Sequence, residues 1–238
     1  MYKDFTLEPA LVLHLRPFKE TSFIVEFFTR KYGKVNLIAK GAKRPKSKLK
    51  ILNTPACLFS ISCKGKNQLK TLTGCEITEH FSFSSNSYAV LIYLNELLIK
   101  LLGKEDPHKE VFDEYLNVCK SMTFKKEERI EINLRRFEKI LLRDMGYGLD
   151  FKNEANSSKK ISEEKMYKLD PTLGFLPQSE IKKQQNYFSG KDILNFSNGD
   201  LKDRSTRQAS KKIMRQALDY YLGNNSLKIR DYLSSKED

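Results

Sequence analysis

The sequence has no C-x-x-C pair, no glycine-rich phosphate loop and no apolar run long enough to span a bilayer. Its four cysteines, Cys57, Cys63, Cys75 and Cys119, stand 6, 12 and 44 residues apart, and the three histidines, His14, His80 and His108, are scattered. Zinc sites draw their ligands from closely spaced Cys and His pairs, so neither a metal nor another cofactor is expected. Thiols so spaced in a reducing compartment pack as small hydrophobes. The motifs G-x-x-x-x-G-K-[ST], G-x-G-x-x-G, H-E-x-x-H and G-x-S-x-G are absent, which removes the phosphate cradles and activated nucleophiles they would supply. The first ten residues, M-Y-K-D-F-T-L-E-P-A, have no apolar core of a signal peptide. The most apolar stretch, Ala89 to Leu102, is interrupted by Asn95, Glu96 and Lys100, too short and too polar for a membrane span. A soluble, cytosolic, non-enzymatic protein with no membrane partner is the expectation.

Acidic residues are scarce in one place. Residues 1–80 hold 15 Lys and Arg against 6 Asp and Glu, whereas residues 81–238 hold 28 against 24. About two thirds of the net charge of +13 thus falls on the first third of the chain. A lysine-rich composition inflated by an AT-rich genome would be even along the sequence, so the skew argues for a dedicated polyanion-binding face. It culminates in Lys40-Gly-Ala-Lys-Arg-Pro-Lys-Ser-Lys-Leu-Lys50, six cations in eleven residues without an acid. Gly41 and Pro45 break any helix there and no aromatic stripe opposes the charges, which excludes a membrane-surface helix. Closely spaced cations release counterions as they neutralise successive phosphates, and Arg16, Lys19, Arg30, Lys31 and Lys34 stand near strand ends where they widen the same surface. The phosphate-contacting set is therefore Arg16, Lys19, Arg30, Lys34, Lys40, Lys43, Arg44, Lys46, Lys48 and Lys50. The competing role is a solvated loop kept soluble by its charge.

The first 80 residues read as β-structure. Leu11–Leu15, Ser22–Thr29, Lys34–Ala39, Ala56–Cys63 and Gln68–Glu76 are short runs rich in branched and aromatic residues. Gly33 stands where a tight turn needs positive φ, and Lys64-Gly-Lys-Asn67 is a second hairpin signal. Five such strands make a small barrel or sandwich. Phe23 and Phe27 share a strand face with Val25 and read as core, whereas Phe18 and Tyr32, beside cations, are candidates for stacking on bases. From Ser87 the period changes to that of helices: Tyr88–Leu102, a segment from Asp106-Pro107 to Cys119, Glu128–Met145, Asp192–Asn198, Asp203–Leu222 and Leu227–Leu233. Asp170–Pro177 reads as a short β-turn-β element after a polar excursion. The expected class is α+β, with residues 1–80 a barrel domain and 81–238 a helical domain.

Several of these segments resemble the family of the bacterial recombination mediator RecO. The resemblance rests on Ala10-Leu-Val-Leu-His-Leu-Arg-Pro-Phe-Lys-Glu-Thr-Ser22, Phe28-Thr29, Tyr32-Gly33-Lys34, Ala39-Lys-Gly-Ala-Lys-Arg44 and Leu69-Lys-Thr-Leu72 with Glu76. Further on it rests on Leu134-Arg-Arg-Phe-Glu-Lys-Ile-Leu-Leu142 with Gly146-Tyr-Gly148, and on Tyr221-Leu-Gly223 with Leu227-Lys-Ile-Arg230. It implies an OB-fold followed by a helical domain. In some members residues corresponding to 148–187 carry a zinc finger; here no cysteine lies between Gly148 and Gln185, so the chain resembles the zinc-free branch and the insertion is a degenerate one. The resemblance also implies annealing of complementary single strands, binding of single- and double-stranded DNA, and action with RecR to load RecA on DNA coated by single-strand-binding protein (SSB), in the bacterial cytoplasm at the nucleoid. It further implies capture of the acidic, apolar SSB tail by an apolar pocket rimmed with cations. Arg135, Arg136, Phe137 and Lys139, with Lys228 and Arg230, are the expected tail residues; core burial of Phe137 and pairing of Arg136 with Glu138 or another acid are the competing roles. The alternative from another class is a nucleic-acid-processing enzyme, a nuclease or RNA modifier, that uses the barrel to hold its substrate.

Overall fold

One long strand closes the barrel. β1 (Phe5–Phe18) is paired on both sides at Ala10 and Leu11: these face Thr29 and Phe28 of β2 (Ser22–Thr29) and Phe59 and Leu58 of β4 (Cys57–Lys64). Bulges between Val12 and His14 and between Phe5 and Glu8 bend it enough to serve both neighbours. β3 (Gly33–Ala39) continues the hairpin from β2, and β5 (Lys70–His80) runs antiparallel to β4 and parallel to β3, at Leu37↔Lys70 and Ile38↔Thr71. The resulting closed order, β1-β2-β3-β5-β4, is that of an OB-fold. The structure, a computed structural model, describes residues 3–67, 69–82, 85–123, 127–179 and 187–230. Gln68, residues 180–186 of the excursion and residues 231–233 of the last expected segment lie outside the described residues.

Alternation builds the core. Val25 and Phe27 of β2, Val35, Leu37 and Ala39 of β3, and Phe59, Ile61 and Cys63 of β4 all point inward and are essentially buried. Burial of such a side chain stabilises by roughly 1.5–3 kcal/mol. The turn from β2 to β3 needs its glycine twice over. Gly33 has φ +63°, and a Cβ there would lie 1.9 Å from the carbonyl oxygen of Asp106.

The outer face of β2 is also covered, because two helices pack on the barrel. α1 (Ser85–Leu101) anchors at the β1 bulge, where Asn95 Nδ2 donates to the carbonyls of Val12 (3.4 Å) and Leu13 (3.3 Å). Tyr115 of α2 (Lys109–Thr123) donates to Asn95 Oδ1 at 2.6 Å, and Phe112 packs on Phe28 with ring centroids 5.5 Å apart. The chain end then returns: Glu96 accepts the amides of Lys228 (2.9 Å) and Ile229 (3.1 Å), and Leu227 and Ile229 are buried. Barrel, α1, α2 and this return form one compact unit, Met1–Glu127 with Leu227–Asp238; the second is Glu128–Ser226. The compact units thus divide the chain elsewhere than the boundary expected after residue 80.

The second unit holds α3 (Glu127–Asp144), a three-stranded sheet of order β7-β6-β8 (β6 Met166–Asp170, β7 Gly174–Gln178, β8 Phe188–Ser189), α4 (Gly190–Ser197) and α5 (Arg204–Leu222). Phe151 packs on Phe175 and Phe196 at 5.5 and 5.2 Å. Without cysteines, the excursion is tied by side-chain hydrogen bonds. Glu154, buried, accepts from the Tyr167 hydroxyl and from Lys165 Nζ, both at 3.0 Å, and the Ser162 amide donates to the Tyr167 hydroxyl at 2.8 Å. Asp150 and Asp170 each gather the amides of residues two and three positions on. No helix among the described residues is long and apolar enough to cross a membrane.

Candidate nucleic-acid interface

Two loops meet at one end of the barrel. The β1–β2 turn, residues 19–21, touches the β3–β4 connection, residues 40–56. The Lys43 amide donates to the Thr21 carbonyl at 2.9 Å and Lys43 Nζ donates to the Lys19 carbonyl at 3.0 Å. The basic run is a succession of turns, closed by Arg44 N to Gly41 O (3.1 Å) and Ser47 N to Arg44 O (3.0 Å), then a 3-10 turn at Lys48–Asn53 capped by Ser47 Oγ. Ala42 (1 % exposed), within the run, and Leu52 (2 %), just beyond it, plug into the barrel core and fix both ends. Gly41, at φ +68°, supplies the left-handed backbone that the first of these turns needs.

This anchoring keeps the cations outside. Arg16, Lys19, Lys40, Arg44, Lys46, Lys48 and Lys50 are exposed and Lys43 is half-buried. Among the described residues none of these eight makes an ion pair. Two aromatic rings lie under them: Lys19 Nζ sits 5.6 Å from the Phe18 ring centre and Lys43 Nζ 5.4 Å from that of Phe23. Unpaired cations over partly buried rings are the elements that grip a phosphate backbone and offer a stacking surface to its bases.

The two other expected cations are not part of this surface. Lys34 is buried: its Nζ donates to the Ile99 carbonyl at 2.7 Å and lies 3.6 Å from Glu26 Oε1. Burial pulls its pKa down, against the opposing charge of Glu26. Arg30 makes a two-point contact with Asp113, at 2.8 and 2.9 Å, which holds that carboxyl below its ordinary range. Both belong to the seam between the barrel and its two helices, at the opposite end of the β2–β3 hairpin from Lys40. OB-folds bind ligands on the β2–β3 face and the adjoining loops; here α2 covers the Phe28 end of that face, which leaves the loop end. Tyr32, expected to stack on bases, stacks instead on Phe5, at 4.7 Å and 14°.

The expected tail residues take different places in the structure. On α3, Phe137 and Glu138 are fully buried and Arg135 Nη1 donates to Glu138 Oε2 at 2.6 Å. Helix geometry selects that pair: residues three apart face each other and residues two apart, Arg136 and Glu138, do not. Lys139 donates to the Ser197 carbonyl at 3.2 Å and lies over the Phe151 and Phe196 rings. Arg136 is exposed. Lys228 and Arg230 belong to the first unit, where Arg230 lies 5.6 Å from the ring centre of Tyr93. The second unit does contain an open groove of about 600 Å3 lined by Ile132, residues 198–201, Lys202 and Arg207. Arg207 Nη1 donates to the carbonyls of Leu201 (2.9 Å) and Lys202 (2.6 Å). Neither Lys202 nor Arg207 was singled out from the sequence.

Comparison with known proteins fits this architecture. Residues 4–81 match the family model described as "Recombination protein O N terminal", and residues 83–231 match "Recombination protein O C terminal". The chain belongs to the RecO family. It is 36 % identical over 228 residues to the DNA repair protein RecO of Actinobacillus pleuropneumoniae serotype 7 (strain AP76), covering 95 % of this chain and 93 % of that one. Identity is 37 % over 228 residues to the RecO of Nitrosospira multiformis (95 % and 93 % covered) and 35 % over 228 residues to that of Burkholderia pseudomallei (95 % and 82 %). Membership in the RecO family makes the chain a recombination mediator of DNA repair. The boundary between the two family models, at residues 81–83, lies where strands give way to α1.

Proposed function

We propose that the loop end of the barrel binds single- and double-stranded DNA and that the protein, without bond-breaking chemistry, anneals complementary strands in the bacterial cytoplasm. With RecR it helps RecA replace SSB on gapped DNA. The observation that carries this reading is the set of eight cations, seven on two mutually hydrogen-bonded loops and Arg16 on the adjoining end of β1, none ion-paired among the described residues. Held on a fixed scaffold, they neutralise the phosphates of a bound strand and lower the repulsion that an incoming complementary strand meets. Alanine at Lys43, Arg44, Lys46 and Lys48 is expected to reduce the slope of log K against log salt by roughly 0.7 per lost contact on single strands, and to slow annealing of SSB-coated complementary strands. A slope equal to that of the unaltered protein sinks the assignment.

The SSB tail, acidic and apolar, suits the groove between Ile132, Leu201, Lys202 and Arg207 better than the buried side chains of α3. A labelled tail peptide is expected to bind a Lys202→Glu variant at least tenfold more weakly; equal affinity rejects the groove.

A further inference from the structure

α5 carries a charge pattern that its own stability does not explain. Ala209, Ile213, Met214, Ala217 and Leu218 are buried on one side. Arg204, Lys211, Lys212 and Arg215, with Gln208, are exposed together on the other. The first turn holds no acid, and the preceding Asp203 makes no side-chain cap. Cations at a helix start oppose the helix dipole, so selection for helix stability would have put acids there. Two of the chain's eleven arginines, Arg204 and Arg215, lie on this one face, and a genome that inflates lysine does not account for them. Opposition is slight: Asp219 lies 3.7 Å from Arg215, with both side chains about half or more exposed, an arrangement of little strength.

We propose that this face of α5 is a second phosphate-binding surface, which takes a second nucleic-acid strand while the barrel loops hold the first. The inference rests on the barrel loops as the first strand's site. Arg204 and Arg215 are eleven residues apart, about 16 Å along the helix axis, a length over which one strand of a duplex presents about five phosphates. The four cations follow one line without an interrupting acid, which suits a backbone running along the helix. An acidic peptide tail is the competing polyanion. The face has no exposed apolar side chain to hold such a tail's apolar residues, and so a nucleic acid fits it better. The two surfaces lie in separate compact units, so one molecule carries two strand-holding faces. Annealing requires two strands on one scaffold.

The test is a bridging assay with the full chain. An immobilised oligonucleotide captures protein, and a second, labelled, non-complementary oligonucleotide is then added. The variant Arg204→Gln, Lys211→Gln, Lys212→Gln, Arg215→Gln is expected to keep the first strand but retain the second at least tenfold less. The charge-conserving variant Arg204→Lys, Lys211→Arg, Lys212→Arg, Arg215→Lys is expected to bridge normally, which separates lost charge from lost folding. Normal bridging by the glutamine variant overturns the proposal. So does a loss confined to binding of the SSB tail peptide, which would make the face a peptide site. If instead the glutamine variant loses DNA and the barrel-loop alanine variant does not, α5 stands as a DNA surface and the barrel assignment falls.

Discussion

Replacing Lys34 by methionine separates a structural cation from a DNA-binding one. In the folded chain Lys34 Nζ donates to the carbonyl of Ile99, one of the last four carbonyls of α1, which have no partner within the helix. A positive charge there also complements the negative end of the helix dipole. Methionine keeps most of the apolar stem and its packing volume but removes the donor. The Ile99 carbonyl then stays in a site where Lys34 was 5 % exposed, so water replaces the lost bond poorly. A hydrogen bond from a charged donor contributes about 1.5–3 kcal/mol. Relief of lysine desolvation offsets part of that, and a net loss of about 1–2 kcal/mol is expected. For a unit of this size each kcal/mol shifts Tm by about 2–8 °C. Urea titration gives the stability, and the salt dependence of oligonucleotide binding by the same variant gives its DNA contacts. The expected result is a lower unfolding midpoint with an unchanged salt slope. Unaltered stability together with a smaller slope would refute the burial argument and return Lys34 to the DNA surface.

Two further outcomes follow from the same geometry. Phe18 lies half-buried under Lys19 on the loop end, so Phe18→Ala is expected to weaken single-strand binding by about 1–3 kcal/mol and duplex binding much less; an equal loss on both, measured by anisotropy, rejects base stacking. Glu154 is held below its ordinary value near 4.5, chiefly by the hydrogen bond from Lys165. A carboxyl lowered on folding contributes stability above its unfolded pKa and loses it as pH falls through the lower folded value. The unaltered protein is therefore expected to lose stability below about pH 4.5 more steeply than Glu154→Gln, with the curves parallel above it; parallel curves throughout contradict the network.

How much of this was legible depended on the range of the interaction. β2 was read to the residue, Ser22–Thr29, because its hydrophobic run and flanking turns are local signals. β1 was read as Leu11–Leu15 and extends from Phe5 to Phe18, because Pro9 and Pro17 look like strand breakers. Pro17 falls near the strand end and Pro9 beside a bulge, places where a missing amide is tolerated. The basic run announced itself by composition, and its anchoring through Ala42 did not, since alanine carries no pattern of its own. The contacts of Arg30 and Lys34 carry no local signal, because their partners, Asp113 and Ile99, are 83 and 65 residues away. On α3 the Arg135–Glu138 pair follows from spacing, since the two stand three apart in the sequence. The groove at Lys202 and Arg207 stayed hidden, because it is made of loop backbone that periodicity does not describe.

The return of the chain end to Glu96 sets an order of events during synthesis. The first compact unit is written in two pieces, Met1–Glu127 and Leu227–Asp238, separated by the whole of the second. At a typical rate of 5–20 residues per second, translating the roughly 100 intervening residues takes about 5–20 s. Throughout that interval the barrel and its two helices exist without the segment whose amides Glu96 receives and whose Leu227 and Ile229 complete the packing. The nascent first unit therefore exposes an apolar seat on the ribosome until the last residues emerge, and a message truncated after residue 226 yields a protein in which that seat is never filled.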